Sequence, residues 1–209
     1  MATSQQPQTD DVFKRAMWLY GLHTVFNNGA YLLGFYLLPQ GFMRAGPQVA
    51  VGGMVAQEGS FWSQLGLTLL FNLVLMCGLA IVLNLNRVKS VPAGYLIPIA
   101  MGITGGLISG TNSFAASDLT NYNAWEGMAL GLSIGGLEML AYVLVVAATA
   151  NLTMYQYRSW WRWSGEWRAT KLRRFRDLIL TRSEMLALAV AVLLLLAAAY
   201  RETVLSFAG

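Results

Sequence analysis

The chain is short of charge. Only 11% of its 209 residues are Asp, Glu, Lys or Arg, against about 25% in a typical soluble domain. That shortage excludes an ordinary soluble globular protein, a disordered chain and a coiled coil. There is one cysteine, Cys77, which excludes an intrachain disulfide framework and any multi-cysteine metal or cluster site. There is one histidine, His23, which excludes a bis-histidine haem or a multi-histidine zinc site within the chain. No cofactor and no metal are expected from such a set.

What is present is apolar. Hydrophobic residues make up 56% of the chain and the mean hydropathy is +0.50. A bilayer core of about 30 Å needs about 20 mostly apolar residues as helix. Five stretches qualify: residues 18–38, 61–83, 95–114, 128–154 and 185–205. The expected fold is all-α, a single transmembrane domain over residues 1–209 with a cytoplasmic amphipathic segment at 155–182. The first four stretches hold one formal charge, Glu138. Asp10, Asp11, Lys14 and Arg15 flank the first stretch, and Arg87, Lys89 and Pro92 punctuate the second connection. Ser183-Glu184 sits where a helix start favours a cap and an acid. The N-terminal stretch reads as a span and not as a signal peptide. It runs longer than the 7–15-residue apolar core of a signal, and Asn27-Asn28 interrupts it.

Lys and Arg give the orientation. With five spans, the N-terminus and the second and fourth connections share one side. That side holds Lys14, Arg15, Arg87, Lys89, Arg158, Arg162, Arg168, Lys171, Arg173, Arg174, Arg176 and Arg182, while the other holds only Arg44 and Arg201. The N-terminus is therefore expected in the cytoplasm and the C-terminus outside, in a bacterial plasma membrane. An even number of spans would divide the basic residues differently.

The segment 155–182 is basic and rich in tryptophan. As helix it places Trp160, Trp163 and Trp167 on one face, with Leu172, Phe175 and Ile179 on a rotated stripe. Two short amphipathic helices broken near Gly165 fit that pattern. Such a segment lies at headgroup depth, with Arg168, Lys171, Arg173, Arg174 and Arg176 on anionic lipid headgroups; docking of a partner protein is compatible with this. Nucleic acid is not expected, because the lipid surface is the nearest anion. The connection 40–60 carries Gly41, Gly46, Gly52, Gly53 and Gly59 and few charges. Lying on the membrane and re-entering it both remain open.

Within the spans, Gly102, Gly106 and Gly110 recur every fourth residue, as do Gly127, Gly131 and Gly135. Small residues at that spacing let membrane helices approach closely. The two triplets are expected to pack on each other in an antiparallel hairpin. Asn28, Asn72, Thr104 and Glu138 fall within about one turn of the midplane at 1.5 Å per residue. An ionisable group at that depth faces the bundle interior or a water cavity. Glu138 is expected to hydrogen-bond Asn72 or Asn28, as a structural clamp or as part of an ion or proton path.

One motif suggests catalysis. Gly131-Leu-Ser133-Ile-Gly135 matches G-x-S-x-G, and His23-Thr-Val-Phe-Asn27 resembles the H-x-x-x-N of rhomboid intramembrane proteases. A serine nucleophile needs a general base, and no histidine follows Ser133. The soluble-hydrolase elbow that presents this motif is absent as well. An enzyme is not expected.

The order of elements resembles the stage II sporulation protein M family of bacterial membrane proteins. The residues that carry the resemblance are Phe13-Lys14-Arg15, Asn27-Asn28-Gly29, Gly34, Leu70-Phe71-Asn72, Gly78, Gly135-Gly136-Leu137-Glu138 and Ala197-Ala198-Ala199-Tyr200-Arg201-Glu202. The family's H-G-x-x-E is matched at Glu138, but Ile134 stands where the histidine would be and Ser133 where the preceding proline would be. The resemblance implies a non-enzymatic integral membrane component working in a complex. Three functions follow as expectations. The first is a scaffold subunit that assembles with other membrane proteins, including other copies of itself. The second is a permease or channel-like component using the Glu/Asn cluster. The third is a pigment- or cofactor-binding accessory subunit of an energy-transducing complex, with His23 as its one candidate axial ligand.

Overall fold

A computed structural model describes residues 12–114, 123–159 and 168–208, apart from the side chains of 130–134 and 208. The protein is mainly helical. Helix α1 runs Val12–Leu37 and α2 Pro47–Ala56. Helix α3 (Phe61–Leu69) continues through a π-helical segment, Leu70–Met76, into α4 (Cys77–Asn84). Helices α5 (Leu96–Gly110), α6 (Ala124–Thr149) and α7 (Arg182–Ala208) complete the set. Three helical stretches are long and apolar enough to cross a membrane: Phe61–Asn84, Ala93–Gly110 and Arg182–Phe207. Helix α1 is long but carries Lys14, Arg15, His23, Asn27 and Asn28, and is not one of them. The described apolar part of α6, Gly135–Thr149, is shorter than a full span.

The helices alternate in direction, and polar bonds tie their ends. At one end the Arg15 guanidinium donates to the Ala147 carbonyl at 2.7 Å. This joins the start of α1 to the end of α6, where a cation complements the helix dipole. At the same end the Asn84 side chain is fully buried. Its Nδ2 donates to Val146 O and Thr149 Oγ1, both at 2.8 Å, and its Oδ1 accepts from Gly94 N at 3.1 Å. A Cβ at Gly94 would collide with that Asn84 side chain. Asn151 Nδ2 donates to Glu184 Oε1 at 2.7 Å, which brings in the start of α7. At the opposite end Gly41 N donates to Thr111 O at 2.7 Å, and Phe61 contacts the rings of Tyr200 and Phe207.

Helix α6 is the axis of the bundle. Residues 141–150 are all buried, and they are apolar on every face apart from Tyr142 and Thr149. A helix of that kind belongs inside. Leu19 of α1 and Ala187, Ala191 and Leu195 of α7 pack with this stretch in the fully buried core. The outer faces carry large apolar side chains instead, among them Trp18, Val25, Leu33, Trp62, Val74, Val82 and Leu193.

Three expectations need correction. The segment 155–182 does not form two amphipathic helices where it is described. Strand β1 (Asn86–Val88) pairs antiparallel with β2 (Val91–Pro92) and parallel with β3 (Tyr155–Tyr157), and β3 pairs antiparallel with β4 (Thr170–Lys171). Helical periodicity concealed this, because the second and fourth connections satisfy each other's backbone groups across the end of the bundle. Trp160, Trp163, Gly165 and Trp167 lie outside the described residues. The cap of α7 is Thr181 rather than Ser183. Thr181 Oγ1 accepts from Glu184 N at 3.3 Å, and Glu184 Oε2 accepts from Thr181 N at 2.7 Å, a reciprocal capping box.

The third correction concerns the glycines. Gly102, Gly106 and Gly110 face α1 and not the fourth stretch. A Cβ at Gly102 would lie 2.8 Å from His23 O, and one at Gly106 would meet Asn27 O, Ala30 and Tyr31 N. One at Gly110 would meet Tyr31 O and Phe35 N. In the second triplet, Gly127 is filled by the Tyr31 hydroxyl and Gly135 has nothing within 4 Å. The contact partners of Gly131 are outside the described residues. The physical reason lies in α1, whose Ala30 and Gly34 offer the small surface that close backbone approach requires.

Candidate functional site

The polar residues of the spans divide between two places. Asn72 sits in the π-helical segment, and Glu138 projects from the middle of α6. Asn72 Nδ2 donates to Glu138 Oε1 at 2.6 Å. A π-turn inserts an extra residue into a helix and re-aims the side chains around it, and such turns are frequent at functional sites. Here it brings an amide against the one charge of the first four apolar stretches. Of the two partners expected for Glu138, Asn72 and Asn28, it is Asn72 that forms the pair. Asn28 and Thr104 are not part of it. Asn28 Oδ1 is buried without a hydrogen-bond partner. The Thr104 hydroxyl bonds back to Ala100 O at 3.0 Å within its own helix, an outlet open to any helical threonine.

Glu138 also lines a cleft of about 200 Å³ between α1, α5 and α6. Its walls include Tyr20, His23 and Asn27 from α1, Met101, Gly105 and Ser109 from α5, and Met139 and Tyr142 from α6. Gln48 of α2 and Phe114 reach it from the end opposite the small sheet. His23 is buried, and its Nδ1 is 2.9 Å from Pro98 O. A carbonyl only accepts, so this nitrogen carries the proton and the neutral ring keeps Nε2 as an acceptor. Gly102 makes room for the ring, since a Cβ there would lie 3.1 Å from His23 Nδ1. The rings of Tyr20 and His23 stand 6.2 Å apart.

Glu138 and His23 thus share one cleft, although the sequence gives them no common motif. Tyr20 and Tyr142 line the cleft with them, and no motif in the sequence singles out either. A four-residue spacing connects Glu138 to Tyr142 on one helix face, which is the signal that could have found the second. Asn84 was missed as well, because a polar residue at the end of a span reads as a boundary. On α3, Gln64 and Thr68 precede Asn72 at four-residue intervals and are buried, and Gln64 Oε1 and Thr68 Oγ1 lack partners. These polar groups run inward along one stripe toward Glu138.

Ser133 and its surroundings are outside the described side chains, so the G-x-S-x-G motif gains no neighbour from the structure. The basic residues Arg168, Lys171, Arg173, Arg174 and Arg176 are exposed at the sheet end. There Phe175 and Ile179 also expose most of their surface. Among the described residues no group of three or more His, Cys, Asp or Glu could hold a metal ion. Compared with protein-family models, with curated proteins and with solved structures, the chain matches none.

Proposed function

We propose that the chain is a non-enzymatic integral membrane subunit of five spans that assembles with partner membrane proteins. Its N-terminus is cytoplasmic and its C-terminus external, in a bacterial plasma membrane, a reading that rests on the uneven distribution of Lys and Arg between the connections. The observation that carries the assembly role is the set of open glycines on the outer faces. Gly21 and Gly29 of α1, Gly66 of α3 and Gly78 of α4 have nothing within 4 Å of an added Cβ. Without a hydrophobic driving force between helices in lipid, such gaps are where another helix backbone comes close. The orientation is supported by the sheet, which joins the second and fourth connections at the end that carries most of the Arg and Lys. Exposed Phe175 and Ile179 among arginines suit that end to anionic lipid.

The test is extraction of the tagged full chain in mild detergent, followed by native electrophoresis and cross-linking mass spectrometry. A stoichiometric partner, or a defined homo-oligomer linked through the glycine faces, is the expected result. A monodisperse monomer with no cross-links at those faces contradicts the proposal.

A second reading is favoured by the Asn72–Glu138 pair on the wall of the cleft. In it the subunit also binds or passes a polar or charged species at the bundle centre. Glu138→Gln should then abolish the corresponding flux in liposomes and leave assembly intact.

A further inference from the structure

We propose that the cleft between α1, α5 and α6 binds a small organic ammonium group, with Glu138 as its counter-charge. The proposal rests on the second reading above and specifies the ligand. Glu138 supplies a carboxylate, and none of the described residues that line the cleft is Lys or Arg. A carboxylate at this depth needs a proton or a cation. One of its oxygens is held by Asn72 at 2.6 Å, so the group is oriented before any ligand arrives.

The remaining walls select the kind of cation. Tyr20, Tyr142 and Phe114 line the cleft as well, and rings of these kinds attract ammonium groups. His23 offers no donor from Nε2, because its proton is committed to Pro98 O at Nδ1. A second acceptor therefore lies on the ring of a residue that lines the same cleft. A volume of about 200 Å³ is far larger than a bare metal ion and holds several non-hydrogen atoms. Asn27 and Ser109 add groups that satisfy a hydroxyl or an N–H. Gln48 and Phe114 line the same cleft, so a ligand enters from the end opposite the sheet.

An ammonium group can arrive free in solution or on a zwitterionic lipid headgroup. Calorimetric titration of the full chain, delipidated in detergent, separates the two. The probes are choline, its neutral isostere 3,3-dimethyl-1-butanol, dihexanoyl phosphatidylethanolamine and dihexanoyl phosphatidylglycerol. Saturable binding of choline with no gain from the phosphatidylethanolamine supports a free ion. Binding at least tenfold tighter for the phosphatidylethanolamine than for both choline and the phosphatidylglycerol supports a headgroup. In either case Glu138→Gln should weaken binding at least tenfold. Gly105→Leu fills the cleft from α5 without altering the carboxylate and should also abolish binding, which keeps the test decisive if Glu138→Gln fails to fold. Binding of the neutral isostere as tight as choline overturns the proposal. So does unchanged affinity in folded Glu138→Gln, or no binding by either ammonium probe. If the ammonium probes fail while Glu138→Gln still abolishes an ion flux in liposomes, the second reading stands and the ammonium site falls.

Discussion

Asn72 and Glu138 meet across the bundle at 2.6 Å, one from a π-turn and the other from the buried helix α6. The bond joins two elements that are 66 residues apart in the chain. It also gives the carboxylate a fixed direction on the wall of the cleft.

The first prediction separates the shape of Glu138 from its charge. Glu138→Gln keeps an oxygen that can accept from Asn72, so its melting temperature in detergent should stay close to the parent's. Glu138→Leu leaves the Asn72 amide without its acceptor and should lose about 1–3 kcal/mol. Equal melting of the parent and the leucine variant would show that the pair contributes nothing to stability.

The glycines give opposite expectations on two helices. Gly106 lies against Asn27 O, Ala30 and Tyr31 N, and Gly106→Leu should destabilise the protein by about 1–3 kcal/mol or more through overpacking. Gly135 faces open space, and Gly135→Ala should be neutral or stabilising by up to about 1 kcal/mol, the usual helix-interior preference. Thermal unfolding of both variants in the same detergent checks the contrast.

Asn84 holds three elements at once. Asn84→Ala leaves Gly94 N without its side-chain acceptor and removes two donor bonds to α6. A loss of about 2–4 kcal/mol is expected, from one stranded buried donor plus the bonds removed. Hydrogen exchange should rise first at Gly94 and through residues 86–92. Uniform exchange across the chain would contradict a local role.

The capping box of α7 should be worth about 1 kcal/mol. Thr181→Ala should lower stability by that amount. Glu184→Ala should cost more, because Glu184 also accepts from Asn151 at 2.7 Å. Urea or thermal unfolding of the two variants measures the difference.

Much of this was legible in the sequence. Apolar runs of about 20 residues marked every long helix, and the helix ends fall within a few residues of the run boundaries. The start of α1 is the exception. It extends back to Val12, so Lys14 and Arg15 lie inside the helix, where Arg15 can reach the Ala147 carbonyl. The shared depth of Asn28, Asn72 and Glu138 narrowed the partner of the carboxylate to two asparagines, and Asn72 is the one that bonds it. What was not legible depends on which helix neighbours which. The spacing of Gly102, Gly106 and Gly110 shows that some backbone comes close, but not that it belongs to α1. The sheet was hidden for a related reason. Residues 86–88 and 155–157 are too short to carry a strand pattern, and only their pairing across the bundle end makes them strands.

The proposed arrangement of five alternating spans with the sheet in the cytoplasm is tested most directly by cysteine accessibility. In a Cys77→Ser background, single cysteines are placed at Lys89, Lys171, Met54 and Ser206, and a membrane-impermeant maleimide is applied to right-side-out and inverted vesicles. Lys89→Cys and Lys171→Cys should react only in inverted vesicles, and Met54→Cys and Ser206→Cys only in right-side-out ones. Labelling of positions 89 and 171 from opposite faces, or of 171 and 206 from the same face, would contradict the account.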